Sequence, residues 1–173
     1  ITINLPPMNS FFNTNVDYIT TKLLLKELQD LQQKSSNINS GIGRIVDSFT
    51  KLIHANPAHP ENHNVMFKSL NSGFARIYNG DGFEDRQSTE VQDKILERVC
   101  TLFTSKVLDE HNYDIKDKMT DVLDELENEV YERTDDLKHK DNTRALSQCR
   151  NTVKAALHSK KDEIEVTHQL IEQ

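Results

Sequence analysis

The chain has 173 residues, 35% hydrophobic and 28% charged, and its 21 Lys and Arg against 28 Asp and Glu give a formal charge of −7. That length fits one domain, or a small domain with a helical extension, but a mean hydropathy of −0.68 is a thin apolar supply for a compact globule, so elongated helices or an oligomer that completes the core are expected. The acidic balance, with no Lys/Arg cluster to release counterions, argues against direct nucleic-acid binding, and no run approaches the roughly 20 apolar residues of a membrane span.

Ile1-Thr-Ile-Asn-Leu5 alternates apolar and polar residues before Pro6-Pro7, which reads as a short strand stopped by proline. From Asn15 as N-cap, Ile19, Leu23, Leu24, Leu28 and Leu31 recur at helical spacing and predict a helix to about Gln33, closed by the polar loop Lys34–Ser40. Ile42, Ile45, Val46, Phe49, Leu52 and Ile53 form the stripe of a second helix. Val65 to Leu70 alternates, Asn71-Ser-Gly73 turns, and Phe74–Tyr78 returns as the second strand of a hairpin. Asn79-Gly-Asp-Gly82 makes another turn, and Phe83 begins a last extended piece.

Beyond Gln87 the pattern is helical. Ser88 or Thr89 can cap, with Gln92 completing a capping box from Thr89, ahead of the stripe Val91, Ile95, Val99, Leu102, Phe103 and Val107. Asp114 opens a helix in which Ile115, Met119, Val122, Leu126 and Val130 step close to a heptad. Asp141 opens the last, where Leu146, Cys149, Val153 and Ala156 continue that rhythm toward Lys160 and Glu163. Cys100 and Cys149 sit at apolar helical positions, neither a zinc framework nor a disulfide scaffold, and read as reduced core thiols.

The chemistry-bearing stretch is His54-Ala-Asn-Pro-Ala-His-Pro-Glu-Asn-His-Asn64, where two prolines and two further asparagines forbid regular structure. Two site readings fit His54, His59 and His63. In the first they join Glu61 and Asn62 in a metal-assisted nuclease, with a general-base imidazole and a neutralised phosphate; the order of turn and hairpin is wrong for a ββ-metal motif. In the second they ligate a structural zinc or other transition metal. A third reading needs no ligand: Pro60 stiffens the turn, Glu61 and Asn62 bond backbone N–H groups, and His63 or Asn64 satisfies the start of the hairpin. The third is preferred, and no cofactor is expected. Asp81, Glu84 and Asp85 lack the calcium-loop rhythm, Asp124, Glu125, Glu127 and Glu129 lack a paired Glu-x-x-His, and Gly41-Ile-Gly43 lacks the rest of a dinucleotide loop. Lys154, His158, Lys160 and Lys161 run into Asp162, Glu163 and Glu165 as a solvated face.

Taken together, Asn15-Val-Asp-Tyr-Ile19, Ile53-His54, Asn56-Pro57, His59-Pro-Glu-Asn-His-Asn64-Val65 and Tyr78-Asn-Gly80 resemble the C-terminal region of zinc-finger and KilA-N-type proteins of giant nucleocytoplasmic DNA viruses, over roughly Ile3 to Val99. That family commonly carries a Trp after the Asn-Gly turn, where this chain has Phe83. The resemblance implies a viral parent with a DNA- or zinc-binding module upstream, working in the host cytoplasm or viral factory; a start at Ile1 fits a piece of a longer polypeptide. It implies no catalytic role.

The expectation is therefore an α+β fold, a small antiparallel sheet of the N-terminal strand and the hairpin packed with helices, with a boundary between residues 1–87 and a helical 88–173. The expected function is a non-enzymatic interaction or oligomerisation module. Met119, Val122, Leu126, Val130, Leu146, Cys149 and Val153 would meet a second copy or a partner helix. The alternatives are a metal-dependent nucleic-acid-processing enzyme and a scaffold for basic partners.

Overall fold

The computed structural model describes residues 5–33, 41–106 and 143–173, and in it helix α1 (Thr21–Gln33) starts more than a turn later than its apolar spacing suggests. Asn15 Oδ1 accepts the Asp17 N–H at 2.9 Å, which holds the chain in a local turn and keeps it out of a helix. The cap belongs to Thr20, whose Oγ1 accepts the Leu23 N–H at 3.2 Å. Ile19, Leu24 and Leu28 are buried as their spacing predicts. The expected strand at Ile1–Leu5 and the loop Lys34–Ser40 lie outside the described residues, apart from Leu5.

Helix α2 (Gly41–His54) follows its apolar stripe: Ile45, Val46, Phe49, Leu52 and Ile53 are all buried. Strands β1 (Val65–Met66), β2 (Phe74–Tyr78) and β3 (Phe83–Gln87) form an antiparallel sheet in the order β1-β2-β3, with Val65 opposite Ile77 and Tyr78 opposite Phe83. The first hairpin is looser than its sequence suggests. Pairing stops after Met66, because Val65, Met66 and Phe67 are all buried and no alternation survives; the connection then runs from residue 67 to 73. Serine side chains shape that loop, Ser69 Oγ accepting from Asn71 N and Ser72 Oγ from Phe74 N. The second turn needs its glycine, since Gly80 has φ 105, a conformation that a β-carbon disfavours.

Helix α3 (Ser88–Lys106) leaves β3 without a linker, for the Ser88 N–H still donates to the Gly73 carbonyl at 2.8 Å. The capping box expected from Thr89 to Gln92 is replaced by a tertiary contact. Gln92 accepts from Ser88 Oγ and donates from Nε2 to the Arg150 carbonyl at 2.9 Å, tying α3 to the next described helix. That helix, α4 (Thr143–His158), turns at Ser159-Lys160 into α5 (Lys161–Glu172). The single last helix expected from Asp141 is therefore two, and Ile164, Thr167 and His168 take the buried places in α5 instead of Lys160 and Glu163.

The fold is α+β. One hydrophobic cluster holds residues from both sides of the expected boundary at residue 87, from Phe11, Leu28, Phe49 and Ile77 to Phe103, Val153 and Ile164. Helix α4 packs on α2 and α3. That placement corrects part of the expected intermolecular seam: Cys149 and Val153 are buried in the core of their own chain. Leu146 lies in α4 with its side chain undescribed, and Met119, Val122, Leu126 and Val130 lie outside the described residues. No described helix is long and apolar enough to cross a membrane.

Candidate functional site

The segment from His54 to Asn64 is ordered by side-chain hydrogen bonds, and its three histidines do three different jobs. His54 ends α2 and is wholly buried. Its Nδ1 lies 3.0 Å from Asn64 Oδ1 and 3.3 Å from the Asn62 carbonyl. Asn64 Nδ2 is occupied with the Asn9 carbonyl and with Thr14 Oγ1, both at 3.1 Å, so Oδ1 is the atom that faces the ring. Both partners of Nδ1 are acceptors, hence Nδ1 carries the proton and Nε2 is bare. The Arg98 guanidinium meets that bare nitrogen at 3.5 Å, also donates to the Phe11 carbonyl, and lies 4.4 Å over the Phe11 ring.

This environment fixes both charges. Burial, and then the Arg98 cation, push His54 down from 6.5 to about 3; burial lowers Arg98 to about 10, so the pair is neutral imidazole beside guanidinium at neutral pH. Both are set by geometry that the sequence carries, since Arg98 stands three residues after Ile95 and seven after Val91 on a buried face. A lone cation on an apolar stripe was the available signal, and sequence reasoning passed over it.

Asn62 is the second centre. Its Oδ1 accepts from Asn9 Nδ2 at 2.9 Å, and its Nδ2 donates to the Asn15 carbonyl at 2.6 Å and reaches the Tyr18 hydroxyl at 3.4 Å. The Tyr18 O–H donates in turn to the Leu52 carbonyl at 2.7 Å, satisfying a backbone acceptor at the end of α2 that the helix leaves without a partner. Burial raises Tyr18 to about 12 and keeps that donor protonated. His59 stacks on the Tyr18 ring at 3.6 Å and bonds Glu61 through Nδ1 at 2.8 Å. Asn9 also closes the circuit through its backbone, donating to the Glu61 carbonyl at 2.8 Å.

His63 faces the other way. Its Nε2 meets the Asn56 carbonyl at 2.9 Å and so donates, which leaves Nδ1 to accept from Thr167 Oγ1 on α5 at 2.8 Å. His168, one residue on, donates from Nε2 to the His63 carbonyl and packs on Phe83 at 4.4 Å between ring centroids. Phe83 itself lies under Arg76 and against Tyr78.

His54, His59 and His63 are thus close in sequence and directed at different elements: α3, α1's leading segment and α5. Among the described residues no group of three or more His, Cys, Asp or Glu is placed to hold a metal ion, and the guanidinium on His54 Nε2 repels a cation there. The turn acts as a brace, joining residues 9–18, α2, α3, β1 and α5. Glu84 of the expected non-calcium turn bonds Asn79 and Arg86. A cavity of about 290 Å³ is lined by Phe11, Ile77 and Val91 together with Phe12, Arg86 and Lys94. No protein-family model, curated protein or solved structure matches this chain.

Proposed function

We propose that this chain is a non-catalytic protein-interaction module that associates with a second copy of itself. The observation that carries the reading is the loop between β1 and β2. It holds Leu70 51% exposed, beside Phe74, 58% exposed at the start of β2, on a backbone braced by serine turns and by Lys154 Nζ on the Ser72 carbonyl at 2.7 Å. Large apolar side chains on a pre-ordered loop lose little conformational entropy on docking, which favours association. The second support is the heptad spacing of Met119, Val122, Leu126 and Val130, a stripe narrow enough to need a partner helix. Cys149 and Val153 take no part. The viral source rests on the resemblance over roughly Ile3 to Val99 alone.

Multi-angle light scattering from micromolar to hundred-micromolar chain tests the reading. The wild type should exceed the 19.9 kDa of one chain, and Leu126→Asp, as well as the double variant Leu70→Asp with Phe74→Asp, should shift the mass toward that value with unchanged helical circular dichroism. A wild-type mass of one chain at every concentration would sink it.

A further inference from the structure

We propose that α5 is an acid-released latch, a helix held on β1 and on the His/Pro turn by two neutral imidazoles, His63 and His168, and let go when His168 takes a proton. The attachment of α5 is unusually polar. Of its residues only Ile164, Thr167 and His168 are buried, and the bonds that fix it are Thr167 Oγ1 to His63 Nδ1, His168 Nε2 to the His63 carbonyl, and Arg76 to Glu172. The helix hangs from a two-residue hinge, Ser159-Lys160, and its N-cap Lys160 makes no side-chain capping bond. Few apolar contacts and a weak start mark an element that opens locally before the core does.

Both tautomers leave Nδ1 as the site that must accept the proton. At His63 the change is tolerable, because the Thr167 hydroxyl can turn to accept from the ring and donate to the Glu163 carbonyl 3.4 Å away, and Glu163 and Glu61 lie near enough to favour the cation. At His168 it is not. Its Nδ1 is buried and has no hydrogen-bond partner among the described residues, and the charged groups around the ring are Arg76 on β2, Lys68 on the loop and His63 on the turn; Glu172, one turn along α5, is bonded to Arg76. A proton there would be an unpartnered buried charge among cations.

The sign follows. Burial lowers His63, and burial with Arg76 lowers His168 from 6.5 to about 4. The released helix binds protons more readily than the docked one, so docking is fully favoured above about pH 6.5 and weakens from there down to about pH 4. Through His168 alone, docking at about pH 5 should be about 20-fold weaker than at neutral pH. Release would uncover Phe83, which shares a sheet face with Phe74 by strand register. Acid would then enlarge the docking surface of the interaction reading; that consequence rests on the reading, whereas the latch does not.

Hydrogen exchange of the whole chain, followed by mass spectrometry at about pH 7.5 and about pH 5 and normalised to intrinsic rates, tests the latch. Protection of α5 peptides should fall about 20-fold or more at the lower pH while α2 and α3 keep theirs. In His168→Phe, which keeps a ring against Phe83 and cannot titrate, most of that fall should vanish. Equal α5 protection at the two pH values, loss shared equally by α2 and α3, or a full acid response in His168→Phe would each overturn the proposal. Light scattering of the same samples reports separately on self-association.

Discussion

Asn64 shows how a side chain read from sequence as a turn residue becomes a junction. It accepts from His54, donates to the Asn9 carbonyl and to Thr14, and is itself buried. Asn64→Ala leaves the buried His54 N–H only its longer contact with the Asn62 carbonyl, strands two acceptors on the leading segment, and should cost about 2 kcal/mol in urea unfolding. His54 adds a pH dependence. Its folded value near 3 lies below the ordinary 6.5, so the unfolded chain takes the proton first; stability should be level above about pH 6.5 and fall as pH drops toward 3. Urea midpoints across that window check it, and a midpoint that rises on acidification would contradict it. Glu61 and Asn62 bond His59, Asn9 and Asn15 and not the backbone N–H groups expected of them, although the residue types of this site were legible in the sequence. The partners were not, since Asn9, Arg98 and Thr167 reach the turn from far along the chain and local spacing carries no trace of such meetings.

Elements were legible where a stripe of apolar residues ran up to a proline-containing stop, as in α2, and at β3, where a strand passes straight into α3. They misled where polar side chains compete with the backbone. Asn15 satisfies the signature of a helix start yet closes a turn, and Thr20 does the capping. Thr20→Ala should therefore lower stability by about 1 kcal/mol, and Asn15→Ala, at an exposed turn, by less than half of that; equal costs would restore the earlier start. The hairpin was overextended for a related reason. Alternation in Val65–Leu70 suggested one buried face, but β1 is covered on both sides, by the core and by α5, so the buried run ends at Phe67 and the rest becomes an exposed loop.

At the scale of the molecule, apolar periodicity named Cys149, Val153 and Ala156 among the buried residues of α4, missed Leu157, and could not tell an internal partner from an external one. Cys149 and Val153 keep the seam spacing expected between chains and are enclosed by their own. Val153→Asp should accordingly unfold the protein, with a loss above about 3 kcal/mol for an unpaired buried carboxylate, and not merely separate copies; circular dichroism in urea tells the two apart. The α+β class was readable because helical and extended patterns are segregated along the chain. What organises it is the polar brace at which residues 9–18, α2, α3, β1 and α5 meet, and His54 sits at its centre. Nitrogen-15 imidazole NMR of that ring is the most direct test. The account predicts one neutral, Nδ1-protonated form from about pH 8 to about pH 5, unchanged by added zinc; titration near 6.5, or a zinc-dependent shift of its Nε2 signal, would contradict it.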